Sequence, residues 1–230
     1  MSTQVDRGMG LEVYGISNAG PVHWNLDVAQ LYEEAIRRRE GQLSAFGPLT
    51  CRTGQHTGRS PNDKFVVREP GSETHVHWGK VNKPLSQEHY AALRRDLIAH
   101  LAGRELFVQD LYAGADPVYR LPVRIVSEYA WHSLFARNLF IVPPPDDLKT
   151  HSPEFAVICS PSFRADPARH GTRSEVAVVL NMGTREVLIA GTSYAGENKK
   201  SIFSVLNYVL PLKGVLSMHC SANIGAAGRS

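Results

Sequence analysis

The sequence predicts an α/β domain, a mixed sheet with flanking helices, and three observations predict it. Short β-branched and apolar runs of four to six residues recur along the chain. Between them lie longer stretches in which apolar residues return every three or four positions. One pair of runs brackets a four-residue turn containing glycine, the mark of an antiparallel hairpin in a chain that otherwise mixes strands with helices.

The elements follow in order. A first helix is expected over residues 28–40, where Val28, Leu31, Ala35 and Ile36 share a face and Gly41 supplies a stop. Lys64–Val67 reads as a strand. A second helix is expected over 87–102, with Ser86 as N-cap, Tyr90, Leu93, Leu97 and Leu101 on one face, and Gly103 ending it. Residues 106–109 and 123–126 read as strands. A third helix over 128–137 carries Trp131, Leu134 and Phe135. Strands are expected at 139–142, 156–159, 176–181 and Glu186–Ala190, the last two joined through Met182-Gly183-Thr184-Arg185. A fourth helix begins near Glu197 and runs to about Tyr208, with Pro211 stopping it. The proline-rich stretch 143–147 and the segment 162–173 read as loops.

Composition narrows the class. The chain has 230 residues, 43% hydrophobic and 20% charged, too apolar for a disordered segment. No apolar run approaches the ~18 residues that span a bilayer, so no membrane association is expected. The 25 basic and 22 acidic residues nearly balance at +3, which gives no reason to expect nucleic acid. Cys51, Cys159 and Cys220 are widely spaced and form no C-x-x-C pair. That argues against a disulfide scaffold or a zinc ribbon, and a reducing cytoplasm is the expected home. The first residues, from Met1 to Arg7, contain no apolar signal core.

Three segments are dense in polar groups beside glycine. In the first, 52–64, Gly54 and Gly58 could let the backbone approach a ligand, and Arg59 offers a planar fork for a carboxylate or phosphate. The plain alternative is a polar turn feeding the Phe65-Val66-Val67 strand. In the second, 191–201, Gly191 and Gly196 have phosphate-loop spacing, but Glu197 stands where the G-x-x-x-x-G-K-[ST] lysine must be. What remains is a strand, a glycine turn and a helix whose first turn carries Lys199 and Lys200, against the helix dipole. Local rule-breaking of this kind marks function, although lysines also simply extend into water. The third, 216–223, holds His219 beside Cys220. Adjacent strand residues point to opposite faces, so these two cannot share a metal.

Taken together, these segments resemble ATP-dependent phosphoenolpyruvate carboxykinases, N-terminal portion only. The resemblance runs through Arg52-Thr53-Gly54 and Thr57-Gly58-Arg59-Ser60-Pro61-Asn62-Asp63-Lys64-Phe65, then Trp78-Gly79-Lys80-Val81-Asn82-Lys83-Pro84. It continues through Tyr119-Arg120-Leu121-Pro122-Val123-Arg124, Ala130-Trp131-His132-Ser133 and Gly171-Thr172-Arg173-Ser174-Glu175. It closes with Tyr194-Ala195-Gly196-Glu197-Asn198-Lys199-Lys200-Ser201 and Met218-His219-Cys220-Ser221-Ala222-Asn223, in the family's order. Asn198 departs from the apolar residue the family places between the glutamate and the two lysines.

The resemblance implies a gluconeogenic lyase that converts oxaloacetate and ATP into phosphoenolpyruvate, carbon dioxide and ADP. It implies Arg59 as the ligand of a substrate carboxylate and Tyr194 against the substrate. Lys200 and His219 are implied as ligands of Mn2+, with Mg2+ accompanying ATP. Lys200 and Arg59 are the implied catalytic groups, and Lys199, Lys200 and His219 the implied contacts to ATP. A lysine that ligates a metal must be neutral, so Lys200 is expected to have a depressed pKa. The resemblance further implies that residues 1–212 are the substrate-binding domain and 213–230 the start of a nucleotide-binding domain truncated before its P-loop. The missing C-terminal domain is then the expected partner, and the chain by itself is expected to be inactive. The competing readings are a non-catalytic carboxylate- or anion-binding fragment and a degraded gene product.

Overall fold

A computed structural model of the chain describes residues 10–221 and 223–226. The amino-terminal stretch, Ala222 of the 218–223 motif and the last four residues of the expected 213–230 segment lie outside the described residues. The architecture is mixed α/β, as the sequence predicts. The strands are β1 (Val22–Trp24), β2 (Gly41–Leu43), β3 (Leu49–Cys51), β4 (Lys64–Val67), β5 (Lys83–Leu85), β6 (Leu106–Ala113), β7 (Leu121–Ser127), β8 (Phe155–Ser160), β9 (Ala177–Asn181) and β10 (Glu186–Ala190). The helices are α1 (Val28–Arg37), α2 (Gln87–His100), α3 (Ala130–Leu139), α4 (Pro145–Thr150), α5 (Pro167–His170) and α6 (Gly196–Leu212). Eight strands form one sheet in the order β1-β6-β7-β8-β10-β9-β4-β5, and β2 and β3 form a separate hairpin. Only β6·β7 and β9·β10 pair antiparallel within the large sheet.

Helices cover both faces, which explains why β6, β8, β9 and β10 are buried at every residue. On one face α2 packs Leu93 and Leu97 against Val108, Ile158, Val179 and Leu188. On the other, α6 packs Ile202 and Val205 against Val157, Val178, Val187 and Ile189. Neighbouring strand residues therefore serve different cores, as a period of two requires. Burying each of these large aliphatic side chains stabilises the fold by ~1.5–3 kcal/mol.

The helix starts follow local chemistry. Asp27 and Gln30 form a reciprocal capping box on α1, and Ser86 accepts from the His89 N–H at the start of α2. Asn181 Oδ1 accepts from the N–H groups of Gly183 and Thr184, shaping the β9–β10 turn.

Several expectations are corrected. The strand expected at 139–142 does not form. α3 continues to Leu139, and Ile141 makes one isolated bridge to Tyr112. That bridge lies on the edge of β6 that the three-residue β1 leaves open, and Pro143, having no N–H, cannot extend it. α1 ends at Arg37, before Gly41, because Arg39 already takes a left-handed φ of 57°. α6 passes Tyr208 and holds Pro211 inside its last turn. The two expected loops each contain a short helix begun by proline, α4 and α5.

Candidate active site

The first turn of α6 meets the 59–64 segment at one end of the sheet. Gly191 follows β10 with a φ of 74°, and a side chain there would collide with the Glu175 carbonyl oxygen. The next residues turn sharply: Thr192 Oγ1 accepts from the Tyr194 N–H at 3.1 Å. The Tyr194 ring lies over Gly196, where an added Cβ would come within 2.5 Å of the ring. Glycine at 196 thus admits the tyrosine, a close approach rather than a phosphate cradle.

Along α6, Glu197, Lys200, Ser201, Ser204 and Asn207 fall three or four positions apart and form one face. Together with Arg59, Lys64 and His219 they line a cleft of about 420 Å³. Its rear wall includes Val178 of β9.

The Arg59 segment is anchored twice. Glu197 Oε1 accepts from the Ser60 N–H at 2.7 Å. Buried Asp63 takes a two-pronged ion pair from Arg173 and a hydrogen bond from the Ser174 hydroxyl. Both carboxylates of this junction are therefore committed to groups other than Arg59, whose side chain stays exposed at the cleft. Of the two expected glycines, Gly54 has a left-handed φ of 68°, whereas nothing in the structure calls for glycine at Gly58.

His219 arrives by a different route. After α6 the chain reverses at Gly214 and runs back along the helix. Val215 N–H donates to Leu210 O, Ser217 Oγ to Asn207 Oδ1 at 2.7 Å, and His219 stacks edge-on to Phe203 at 5.2 Å. Each two-residue step of extended chain, ~6.6 Å, matches about four helical residues, so the match 215–210, 217–207, 219–203 follows from the two rises. The return ends with His219 Nε2 2.6 Å from Lys200 Nζ. Lys199 and Lys200 flank the same Phe203 ring, with Nζ at 5.6 and 5.5 Å from its centroid.

Burial sets the protonation equilibria first and neighbouring charges second. Desolvation lowers the Lys200 ammonium below the ordinary lysine range, and Lys199 and Arg59 push in the same direction. Burial also lowers Lys64, opposed by Glu197 and reinforced by Arg59; its Nζ donates to Ser204 Oγ at 2.7 Å. Burial raises the Glu197 carboxyl, opposed by the Ser60 N–H and by Arg59 and Lys64.

Of the residues singled out from the sequence, Arg59, Lys200 and His219 meet in one cleft. Among the described residues that line it, Tyr194 and Lys199 are not included. They sit one turn or less away on the same segment, Tyr194 on Gly196 and Lys199 beside Phe203. Glu197, Lys64, Ser204 and Asn207 were not expected as site residues. The signal was present: a polar stripe at helical spacing on a helix whose opposite face is Ile202, Val205, Leu206 and Val209.

A family model for phosphoenolpyruvate carboxykinase matches residues 20–230. The chain belongs to the ATP-dependent phosphoenolpyruvate carboxykinase family. The phosphoenolpyruvate carboxykinase (ATP) of Geobacter sp. strain M21 is 51% identical over 224 residues, 97% of this chain and 42% of that protein. The protein of the same name from Chelativorans sp. strain BNC1 is 56% identical over 219 residues, 95% and 41% of the two chains. Phosphoenolpyruvate carboxykinase (ATP) 2 of Moorella thermoacetica is 53% identical over 219 residues, 95% and 42%. The chain thus spans about two fifths of the length of these curated relatives. The carboxykinase resemblance read from the motifs is shared over nearly all of this chain. Among its described residues no helix is long and apolar enough to cross a membrane.

Proposed function

We propose that the chain supplies the substrate- and metal-binding part of a carboxykinase that turns oxaloacetate and ATP into phosphoenolpyruvate, carbon dioxide and ADP. The observation that carries this reading is the convergence of Arg59, Lys200 and His219 on one cleft in a member of this family. In the reaction the C–C bond to the leaving carboxylate breaks and its electrons form an enolate. The enolate oxygen then attacks the γ-phosphorus of ATP, and the bond to ADP breaks. The protein must therefore hold a dianion, stabilise a developing oxyanion and exclude side reactions.

The residues fit those tasks. Arg59, unpaired by either nearby carboxylate, offers its fork to one substrate carboxylate. Tyr194 sits one turn ahead of the cationic face of α6, against the substrate. Lys64 and Lys200 add positive charge inside the cleft, and Lys199 adds it at the rim where the phosphates of ATP approach, with Lys200 and His219 beside them. Lys200 and His219 would hold a divalent ion: their nitrogens already meet in a 2.6 Å hydrogen bond, which would open to admit it, and an amine lowered in pKa releases its proton at smaller cost. Two nitrogen donors suit a transition ion such as Mn2+ better than Mg2+, which accompanies ATP. When bound, the ion supplies electrostatic stabilisation of the enolate charge. Residues 1–212 form the substrate-binding unit and 213–230 lead into the nucleotide-binding part, whose complement is the remaining length of the relatives.

No G-x-x-x-x-G-K-[ST] motif occurs in the 230 residues, so the chain by itself binds the dianion and the ion without turning over ATP. The test is calorimetric titration with Mn2+ and then with phosphoenolpyruvate. Lys200→Ala and His219→Ala should each weaken Mn2+ binding at least tenfold, and Arg59→Ala should do the same to phosphoenolpyruvate. Unchanged affinities in all three variants would refute the reading. ATP-dependent oxaloacetate decarboxylation by the purified chain would refute the claim that it is inactive alone.

A further inference from the structure

Glu197 has no role in the chemistry above, yet it is the single acidic residue lining the cleft among the described residues. It is 6% exposed. A carboxylate so buried is ordinarily held in direct contact with a cation. Among the described residues no such contact forms. Lys64, which faces it, donates a hydrogen bond to Ser204 Oγ, and Arg59 acts on it only through space. What Glu197 binds directly is a main-chain N–H, that of Ser60, 137 positions earlier in the sequence.

We infer that Glu197 is a positioning residue that clamps the Arg59–Ser60 peptide onto the first turn of α6, aiming the Arg59 guanidinium into the cleft beside Lys200. The peptide unit is planar, so the Arg59 carbonyl and the Ser60 N–H move as one body with the Arg59 Cα. A bond at the Ser60 N–H therefore fixes the position of the Arg59 Cα and leaves only rotation about its Cα–C bond to redirect the side chain. At the other end of the segment, Asp63 is fixed by Arg173 and Ser174, and Lys83 Nζ binds Asn62 O at 2.8 Å. These contacts hold residues 62–63 against the sheet, and the Asp63 N–H reaches back to the Ser60 carbonyl at 3.0 Å. At the Arg59–Ser60 peptide itself the side-chain contact is Glu197.

The choice of partner matters for specificity. A carboxylate paired directly with Arg59 would neutralise the fork and compete with an incoming carboxylate. A carboxylate spent on the backbone orients the same fork and leaves its five donors for the ligand. The position is also favourable for Glu197 itself, because negative charge in the first turn of a helix is stabilised by the helix dipole. The inference rests on the cleft being the site of a dianionic carboxylate, and its test separates the two ideas.

The first measurement needs no ligand. Amide hydrogen exchange at Ser60 in the 230-residue chain reads the clamp directly. Glu197→Ala should speed exchange at Ser60 about tenfold or more while Val178 and Leu188, in the sheet, stay protected. Glu197→Gln keeps an acceptor oxygen without the charge, so its Ser60 exchange should fall between those of the other two. The second measurement is titration with oxalate in the presence of Mn2+. Glu197→Ala should bind oxalate about tenfold more weakly, and Glu197→Gln should recover most of the affinity at an unchanged thermal midpoint. Equal Ser60 exchange in the native chain and Glu197→Ala overturns the inference. So does a loss of oxalate affinity that glutamine fails to rescue. Should Glu197→Ala not unfold cooperatively, Glu197→Gln decides: Ser60 exchange equal to the native rate overturns the clamp, and a raised rate with near-native oxalate binding supports it. If the native chain does not bind oxalate while Ser60 exchange responds as described, the clamp stands and the dianion reading falls.

Discussion

Lowering the pH from 7 to 4 should destabilise this chain through one buried imidazole. His132 on α3 has no exposed surface. Its Nε2 lies 2.9 Å from the Ser193 carbonyl oxygen, which fixes the proton on Nε2, and Nδ1 faces the Cys159 thiol at 3.5 Å. A second proton on Nδ1 would have to be buried against a weak donor, between Tyr129 and Trp131, whose rings stand edge-on to the imidazole. Burial accordingly pulls the His132 pKa down from 6.5 to about 4, with the Ser193 carbonyl opposing. The unfolded chain then takes up a proton near pH 6.5 that the folded chain refuses until about pH 4. In that window the unfolded state binds more protons, so stability rises with pH and falls as the solution is acidified. The gap between the two values corresponds to about 3 kcal/mol. Denaturant unfolding at pH 7, 5.5 and 4 measures it. His132→Gln keeps a donor for Ser193 but cannot titrate, so the variant should lack about 3 kcal/mol of the acid loss that the native chain shows. Parallel stability–pH curves for the two proteins would refute the reasoning. The position matters for the site as well, since Ser193 precedes Tyr194 in the turn that leads into α6.

Two further substitutions test the architecture around that turn. Asn198 is 1% exposed and its Oδ1 has no partner, while Ala195 O, which its Nδ2 binds, already accepts the Asn198 backbone N–H. Asn198→Leu should therefore stabilise the fold by ~1–2 kcal/mol in denaturant unfolding; a destabilisation would show that the amide's contact to the Cys159 sulfur outweighs its unpaired oxygen. Gly191→Ala places a Cβ at a φ of 74° and against the Glu175 carbonyl, and should cost at least ~2 kcal/mol by the same measurement, with a change under ~0.5 kcal/mol contradicting the account.

How much of this was legible in the sequence depends on what each signal encodes. β4 and β10 fall on the expected residues, and α2 begins where Ser86 caps it, because burial patterns and caps are local. The three-residue β1 and β5 were not expected, since they exist through pairing with strands elsewhere in the chain; Val22 meets Leu106 and Lys83 meets Phe65. Nor was the β2–β3 hairpin, whose three-residue strands are too short to show an apolar alternation. The 139–142 run, apolar and strand-like, became a helix end because α3 packs against β6 and β7 and a proline follows. In the candidate cleft, Arg59, Lys200 and His219 were singled out by motif resemblance, and the fold brings them together. Glu197 was visible only as the residue that spoils a phosphate loop. Its partner, a main-chain N–H, has no side-chain signature, and no sequence pattern announces it.

The same junction explains why so many cations can share one small volume. Lys199, Lys200, Arg59 and Lys64 gather at a helix N-terminus, where the dipole opposes them. Two lysines respond with lowered pKa values, Lys64 by burial and Lys200 by desolvation and its cationic neighbours. Glu197 and Asp63 carry the only compensating charges named at this junction, and each is engaged by a group other than Arg59. The fold thus leaves a surplus of positive charge facing the cleft instead of neutralising it internally. If the cleft takes a dianion, as proposed, such a surplus is unfavourable in the empty protein and becomes favourable when that ligand enters, and the cost of gathering the cations during folding is returned as affinity for a doubly charged ligand over a singly charged one. On this reasoning the selectivity of the cleft resides less in any single contact than in the decision to let both buried carboxylates bind elsewhere.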